Sequence, residues 1–380
     1  MKPRGTKFRR FLKRLTSPEK SFARINQVPL LIIDSAGADA VEKLIPLDTP
    51  HSIFYARNEL LHLNLRTILW TFIYLFRGVP AWSAYVSAVV KQVDPAIAVT
   101  FIDNAPYFHE IASLFPATHF VAVQNGTRFP TLSKGQSLPP HRNYASVFFS
   151  FGDHEITSYE MQGTCFRETK ALGSLRSSIN WSEEHARKEN DQKADFDICF
   201  VSTSVSVRDG IWFYENDLLA KWLREFLLIH PALVVVVAMR SGPHDHLEHL
   251  FERNFYQNIF GDGVILSPRL QAGDTYFTMD NSEVTISSGS SISYEGLGRG
   301  NRSLICHPSH VAEEVLGQFK VPAPFILQTL NREDFFQKLD ELLEMSNSSF
   351  RTKYRNSTDY FCQPVSKDRM SIALSAYFQS

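Results

Sequence analysis

The four cysteines of this sequence, Cys165, Cys199, Cys306 and Cys362, stand far apart, with no Cys-x-x-Cys pair among them. That spacing excludes a zinc ribbon or a disulfide framework and points to reduced, mostly buried thiols. An excess of charge of one sign is also lacking. The chain carries 39 Lys and Arg against 40 Asp and Glu, a net charge of −1, which argues against a protein that grips nucleic acid over a wide basic face. The most apolar stretch, Ile68 to Phe76, is about half a membrane span and is closed by Arg77, Gly78 and Pro80. The basic N-terminus has no following apolar segment or cleavage site of a secretory signal, so a cytoplasmic protein is expected. A Gly-x-Ser-x-Gly nucleophile elbow, a Walker A loop and a Gly-x-Gly-x-x-Gly fingerprint after the first strand are all missing, which removes the usual hydrolase, NTPase and dehydrogenase readings.

What is present suits a large α/β protein. At 380 residues with 44% hydrophobic content, the chain exceeds one ordinary core and is sufficient for two. Val28 to Ile33 is a continuous apolar run ending at Asp34. Ala96 to Ile102 ends at Asp103-Asn104, His119 to Val123 at Gln124-Asn125-Gly126, and Phe148 to Phe151 at Gly152-Asp153. Buried parallel strands that feed helices read in this way. A second series follows: strands at Phe196 to Ser202, Leu233 to Met239, Val264 to Ser267, Val284 to Ser287 and Ser303 to Cys306, with a helix over Leu219 to Leu228. The expected fold is α/β with two Rossmann-like doubly wound domains and a cleft between them. The expected boundaries are a basic amphipathic helix over 1–20, an acceptor domain over 21–179, a linker over 180–195 and a donor domain over 196–345. A helical segment over 346–380 would pack back on the first domain. The Gly/Pro/Ser-rich loop from Thr127 to Tyr144 is long enough to be a flap over the acceptor.

The N-terminus combines Lys2, Arg4, Lys7, Arg9, Arg10, Lys13 and Arg14 with Phe8, Phe11, Leu12 and Leu15 at helical spacing. Such a segment suits an anionic membrane surface, which would hold the protein peripherally at the inner face of the plasma membrane. A solvated tail is the plainer alternative.

The most informative stretch runs from Ser287 to Gly300, followed by Leu304 to Pro308. A strand enters a turn of small, hydroxyl-bearing residues (Ser288, Gly289, Ser290, Ser291) and then a short helix carrying Tyr294 and Glu295. Small residues let a phosphate approach the backbone, and the helix start offers free N–H groups. Glu295, one turn on, could accept from a ribose diol, and His307 would flank the base or sugar. Arg240, directly after the valine strand, could neutralise a leaving phosphate. A serine-rich helix cap accounts for the same residues without any ligand.

Ser290-Ser291-Ile292-Ser293-Tyr294-Glu295-Gly296-Leu297-Gly298-Arg299-Gly300 resembles the S-T-x-x-Y-E-A-x-x-R-G element of bacterial surface-carbohydrate biosynthesis proteins, a GT-B-like group. Phe151-Gly152-Asp153-His154-Glu155 and Gly173-Ser174-Leu175-Arg176 resemble further stretches of that group, so the likeness spans roughly Gln124 to His307. Gly296 replaces an alanine and Ser291 a threonine. The resemblance implies a GT-B fold, a nucleotide-sugar donor and a role in building lipopolysaccharide, O-antigen or capsule.

Catalysis would need a carboxylate near the acceptor hydroxyl. Asp103 leads, with Asp34 and Asp153 as alternatives, and Gln124, Asn125 and Gly126 lie on the acceptor side. His244, His246 and His249 do not have the spacing of a zinc hydrolase, and neither metal nor other cofactor is expected. The expected function is glycosyl transfer from a nucleotide-sugar donor to a glycan or lipid-linked acceptor, with no nucleic-acid partner. A nucleotide-sugar 2-epimerase of the same fold, and a non-catalytic polysaccharide assembly factor, are the competing readings.

Overall fold

A computed structural model describes residues 19–46, 48–55, 60–127, 138–181, 194–203, 205, 211–307, 321–327, 329–366 and 368–378. The helix expected over 1–20 therefore lies, except for its last two residues, outside the described residues. So do most of the linker expected over 180–195, most of the Thr127–Tyr144 loop, and Pro308.

The first domain opens with β1 (Glu19–Ser21), and its main strands are β2 (Leu30–Ile33), β3 (His51–Phe54), β5 (Ile97–Thr100), β6 (His119–Val123), β7 (Asn143–Ser150) and β8 (Cys165–Ala171); β4 (Leu60–His62) pairs only with β1. The six main strands are parallel in the order β3-β2-β5-β6-β7-β8. Every residue of β2 and β5 is buried, as expected where helices cover both faces of a parallel sheet. The covering helices are α1 (Ala38–Glu42), α2 (Leu65–Phe76), α3 (Ala81–Val93), α4 (Pro106–Ala112), α5 (Asp153–Met161) and α6 (Leu175–Ile179).

The second domain holds β9 (Phe196–Val201), β10 (Val235–Ala238), β11 (Ile265–Ser267), β12 (Ser282–Ser288), β13 (Arg302–Cys306) and β14 (Ile326–Leu327). They are also parallel, in the order β11-β10-β9-β12-β13-β14. That is the 3-2-1-4-5-6 order of a Rossmann sheet, with its switch point between β9 and β12. Its helices are α7 (Ile211–Ile229), α8 (His246–Phe260), α9 (Asp274–Asp280), α10 (Ser291–Gly298) and α11 (Arg332–Glu344). The fold is thus α/β with two Rossmann-like domains, as the strand–helix rhythm implies.

Two C-terminal helices, α12 (Asn347–Phe361) and α13 (Arg369–Ser375), join the halves. Between them the backbone touches both domains: Gln363 N donates to Phe151 O at 2.8 Å and Val365 N to Gly298 O at 2.9 Å. Met370 and Leu374 of α13 then enter the core of the first sheet beside Leu30, Ile97 and Val121. Gly152 permits this junction, because a Cβ there would lie 2.3 Å from the carbonyl oxygen of Tyr360.

The half-span apolar stretch Ile68 to Phe76 is part of α2. Asn64 caps that helix, its side chain accepting from Thr67 N at 2.9 Å, and Gly78, with φ of 81°, turns the chain out of it before Pro80. Among the described residues no helix is long and apolar enough to cross a membrane. Cys199, Cys306 and Cys362 are buried, Cys165 is exposed, and all four are free thiols.

Candidate functional site

A pocket of about 500 Å³ opens at the carboxyl ends of β9, β10 and β12, against the start of α10. This is the switch point of the second sheet, where open α/β sheets bind their ligands. Ser202 and Thr203 line it from β9, Met239 and Arg240 from β10, and Ser288, Gly289, Ser290 and Ser291 from β12 and the helix start. Of the residues expected at the nucleotide, the structure brings these five together: Arg240, Ser288, Gly289, Ser290 and Ser291. Gly289 has φ of 59°, the left-handed conformation that a glycine adopts without steric cost. Ser290 is the N-cap of α10 but makes no side-chain cap bond, so its hydroxyl is not spent on the helix. The Ser288 hydroxyl is buried and has no hydrogen-bond partner among the described residues. The guanidinium of Arg240 is held over Thr203 by a 3.2 Å bond from Nη1 to the carbonyl. Arg269, from a loop, and Thr275, from α9, also line it.

Ser291 also faces the other domain. Its Oγ accepts from Thr127 N at 2.8 Å. Behind Thr127, Gln124 folds over the strand end: its Nε2 donates to Gly126 O at 2.9 Å and its Oε1 accepts from Phe151 N at 2.6 Å. Asn125 N donates to Asp103 Oδ1 at 3.2 Å. The acceptor-side residues Gln124, Asn125 and Gly126 and the leading carboxylate, Asp103, therefore form one connected group that reaches the donor helix. The other two carboxylates stand apart from it. Asp34, with φ of 91°, accepts from Ala36 N at 3.0 Å in a turn at the end of β2, and Asp153 is exposed in the first turn of α5.

Tyr294, Glu295 and His307, expected at the nucleotide, do not line the pocket. All three are buried, at 1%, 4% and 0% exposure. Ser291 and Glu295 are four residues apart and share the face of α10 that abuts the first domain. Glu295 is buried there and accepts a hydrogen bond from the Tyr276 hydroxyl. Burial pushes its carboxyl up to about 7, while Tyr276, Arg176, Ser174 and Arg299 pull it down. Tyr294 and His307 lie on another buried side of the helix, where the tyrosine hydroxyl bonds to His307 Nε2. The ring of Tyr294 meets Phe361 at 5.5 Å and that of His154 meets Phe361 at 5.1 Å. Burial holds His307 down at about 4 and His154 at about 3, so both are neutral in the fold.

Arg299 is the residue that the sequence left without a role. Its Nε donates to both oxygens of Asp280 at 3.0 Å, and its Nη1 donates to Ser177 O at 2.8 Å in the other domain. The Trp181 and Tyr276 rings lie 4.8 Å and 4.9 Å from the guanidinium carbon. The three motif stretches, around Gly152, Ser174 and Glu295, thus converge on the junction between the domains, beside the pocket.

The position of Glu295 has a consequence for pH dependence. An acid whose folded value is raised to about 7 contributes its stability below its unfolded value, and that stability is lost as pH rises through about 7. Full ionisation costs about 3 kcal/mol. Glu295→Gln, which cannot ionise, should flatten the fall in melting temperature between about pH 4.5 and about pH 7. A wild-type slope retained in this variant would place the titrating group elsewhere.

Among the described residues no group of three or more His, Cys, Asp or Glu side chains could hold a metal ion. His246 and His249 both fall on α8, His246 as its first residue and exposed.

No protein-family model matches the sequence, and no curated protein matches it. Solved structures do match in fold. A Listeria monocytogenes protein assigned as a UDP-N-acetylglucosamine 2-epimerase is 13% identical over 93% of this chain and 96% of its own, with a TM-score of 0.54. S. aureus MnaA, solved with UDP, is 14% identical over 93% of this chain and 96% of its own, with a TM-score of 0.52. A glycosyltransferase from Rickettsia africae is 11% identical over 93% of this chain and 99% of its own, with a TM-score of 0.51. Together with the two facing Rossmann-like sheets, these likenesses define an α/β protein of the GT-B type. Nucleotide-sugar epimerases and glycosyltransferases both have this architecture.

Proposed function

We propose that this chain is a glycosyltransferase that takes a sugar from a nucleotide donor and moves it to a surface glycan or lipid-linked acceptor. The observation that carries the reading is the pocket at the β9/β12 switch point, with small hydroxyl residues at the start of α10 and Arg240 and Arg269 on its wall. The diphosphate of a donor would sit at Gly289 and Ser290, where the helix start offers N–H groups and the Ser288 and Ser290 hydroxyls add donors. Arg240 would neutralise the leaving phosphate as the glycosidic bond breaks. That MnaA was solved with UDP supports a nucleoside diphosphate in this role.

In the same reading, residues 21–179 form the acceptor side and 196–345 the donor side, with 346–380 returning to the first domain. Asp103 is the proton acceptor for the attacking hydroxyl, oriented by the Asn125 N–H. Gln124, Asn125 and Gly126 shape the acceptor wall. Glu295 acts beside the donor as a buried junction residue and not as its ribose ligand.

The fold likeness to an epimerase gives a second reading a specific basis. Inverting C2 of the sugar breaks its C–H bond, so an epimerase exchanges that hydrogen with solvent. Incubating the protein with UDP-N-acetylglucosamine in heavy water separates the two readings. The proposal predicts no deuterium at C2 in the absence of acceptor, and sugar transfer only when acceptor is added. Deuterium at C2 would move the assignment to the epimerase. Binding of nucleotide with neither reaction, across donors and acceptors, would favour a non-catalytic assembly factor.

A further inference from the structure

Helix α2 presents an apolar stripe to solvent. Leu65, Ile68, Leu69, Phe72 and Phe76 follow at i, i+3, i+4, i+7 and i+11, and they are exposed by 81%, 40%, 57%, 55% and 90%. That spacing keeps all five on one face over the full length of the helix. Single exposed leucines are ordinary, but a contiguous row of five large side chains on one helix marks a contact surface. Phe22, 70% exposed, stands close by, because β1 pairs with β4 immediately before the helix and Asn64 Nδ2 donates to Ala23 O at 3.0 Å.

The charges on the helix itself are of one sign. From Leu60 to Pro80 there is no acidic residue, while Arg66 and Arg77 mark the two ends of the helix. At its start, Arg24 and Arg66 line a small recess of about 170 Å³ together with Asn26, Gln27 and Gln92 and without a carboxylate. At its end, Arg77 and Arg142 line a larger one together with Glu110. In the sequence, the seven Lys and Arg of the first fourteen residues lead into β1, which joins the body beside this helix.

We propose that α2 is a bilayer-docking helix: its apolar stripe inserts among the acyl chains of an anionic membrane, and the Arg24–Arg66 recess takes a lipid phosphate. An interfacial helix needs an apolar face flanked by cations, and α2 has both. Each arginine near the surface is drawn by the anionic leaflet within a Debye length. The recess is of the size and chemistry for one phosphate, with two guanidinium groups and the Asn26 and Gln27 amides to donate. The helix is too short to span a bilayer, so it lies in the interface plane. The docking surface belongs to the first domain, and it stands independently of any transferase chemistry.

The test uses the full chain and two kinds of vesicle, phosphatidylcholine alone and phosphatidylcholine mixed with phosphatidylglycerol. Wild type should sediment with the mixed vesicles and much less with the neutral ones. Leu69→Ser with Phe72→Ser should weaken binding by about a hundredfold while leaving the melting temperature unchanged, since both side chains are exposed. Arg24→Gln with Arg66→Gln should lower the preference for phosphatidylglycerol by about tenfold. The proposal fails if the stripe variant binds vesicles as wild type does, including a case in which deleting residues 1–18 alone abolishes binding. It also fails if the wild type is a dimer that the stripe variant splits, with no vesicle binding in either, because the face would then belong to a second copy of the chain.

Discussion

Arg299→Ala should lose about 3–5 kcal/mol of folding stability. The guanidinium is fully buried, and removing it leaves the Asp280 carboxylate in the interior with Asn301 Nδ2, at 3.1 Å, as a remaining partner. The bonds to Ser177 across the domain junction go with it. Arg299→Lys should recover little, because an ammonium cannot donate in parallel to both carboxylate oxygens and lie flat between Trp181 and Tyr276. Replacing Arg299 by Met together with Asp280 by Leu should recover most of the loss, since no unpaired charge remains. Urea unfolding of the four proteins reads the outcome. A midpoint in Arg299→Ala close to that of the wild type would mean that the ion pair does not hold the junction.

Asp103→Asn should lower turnover by about 10²- to 10⁴-fold with little change in stability or donor affinity. The amide oxygen can still accept from Asn125 N, so the strand end keeps its shape, but the variant cannot take a proton. Steady-state kinetics with a fixed acceptor, beside calorimetric donor binding, separates a lost base from a lost fold. Full activity would transfer the role to Asp34 or Asp153. Those two are less well supplied for it. The first is spent on a turn at Ala36, and the second is exposed in the first turn of α5, away from the group that reaches Ser291.

The parts of the fold that could be read from the sequence are the parts buried on both sides. Val28 to Ile33 is a continuous apolar run, and Ala96 to Ile102 is apolar but for Thr100, because helices cover both faces of β2 and β5. The edges were illegible for the converse reason. Strand β8 reads Cys-Phe-Arg-Glu-Thr-Lys-Ala, with none of its residues fully buried, and β3 begins at an exposed histidine. Strand β7 starts five residues before Phe148, with an irregularity between Tyr144 and Val147 that breaks its alternation.

At the site, the turn from Ser288 to Ser291 was legible because small residues at a strand-to-helix junction have few other uses. The phase of α10 was not. Four residues past Ser291 comes Glu295, and the spacing alone leaves open whether that face meets a ligand or another domain. Here Tyr276, Arg176 and Ser174 surround it, and they come from segments far from Glu295 in the chain. Asp280, nineteen residues before Arg299, sits at the end of α9 with no motif to reveal the pair.

The central claim, a nucleoside diphosphate at the start of α10, is tested most directly by calorimetry on Ser290→Asp. Aspartate is at least as good an N-cap as serine and favours the positive end of a helix, so the melting temperature should hold or rise. The same negative charge should repel a diphosphate seated on those N–H groups. The account predicts that wild type binds UDP, GDP or dTDP, and that Ser290→Asp binds the same nucleotide at least about a hundredfold more weakly. Undiminished affinity in a stably folded Ser290→Asp protein would contradict it.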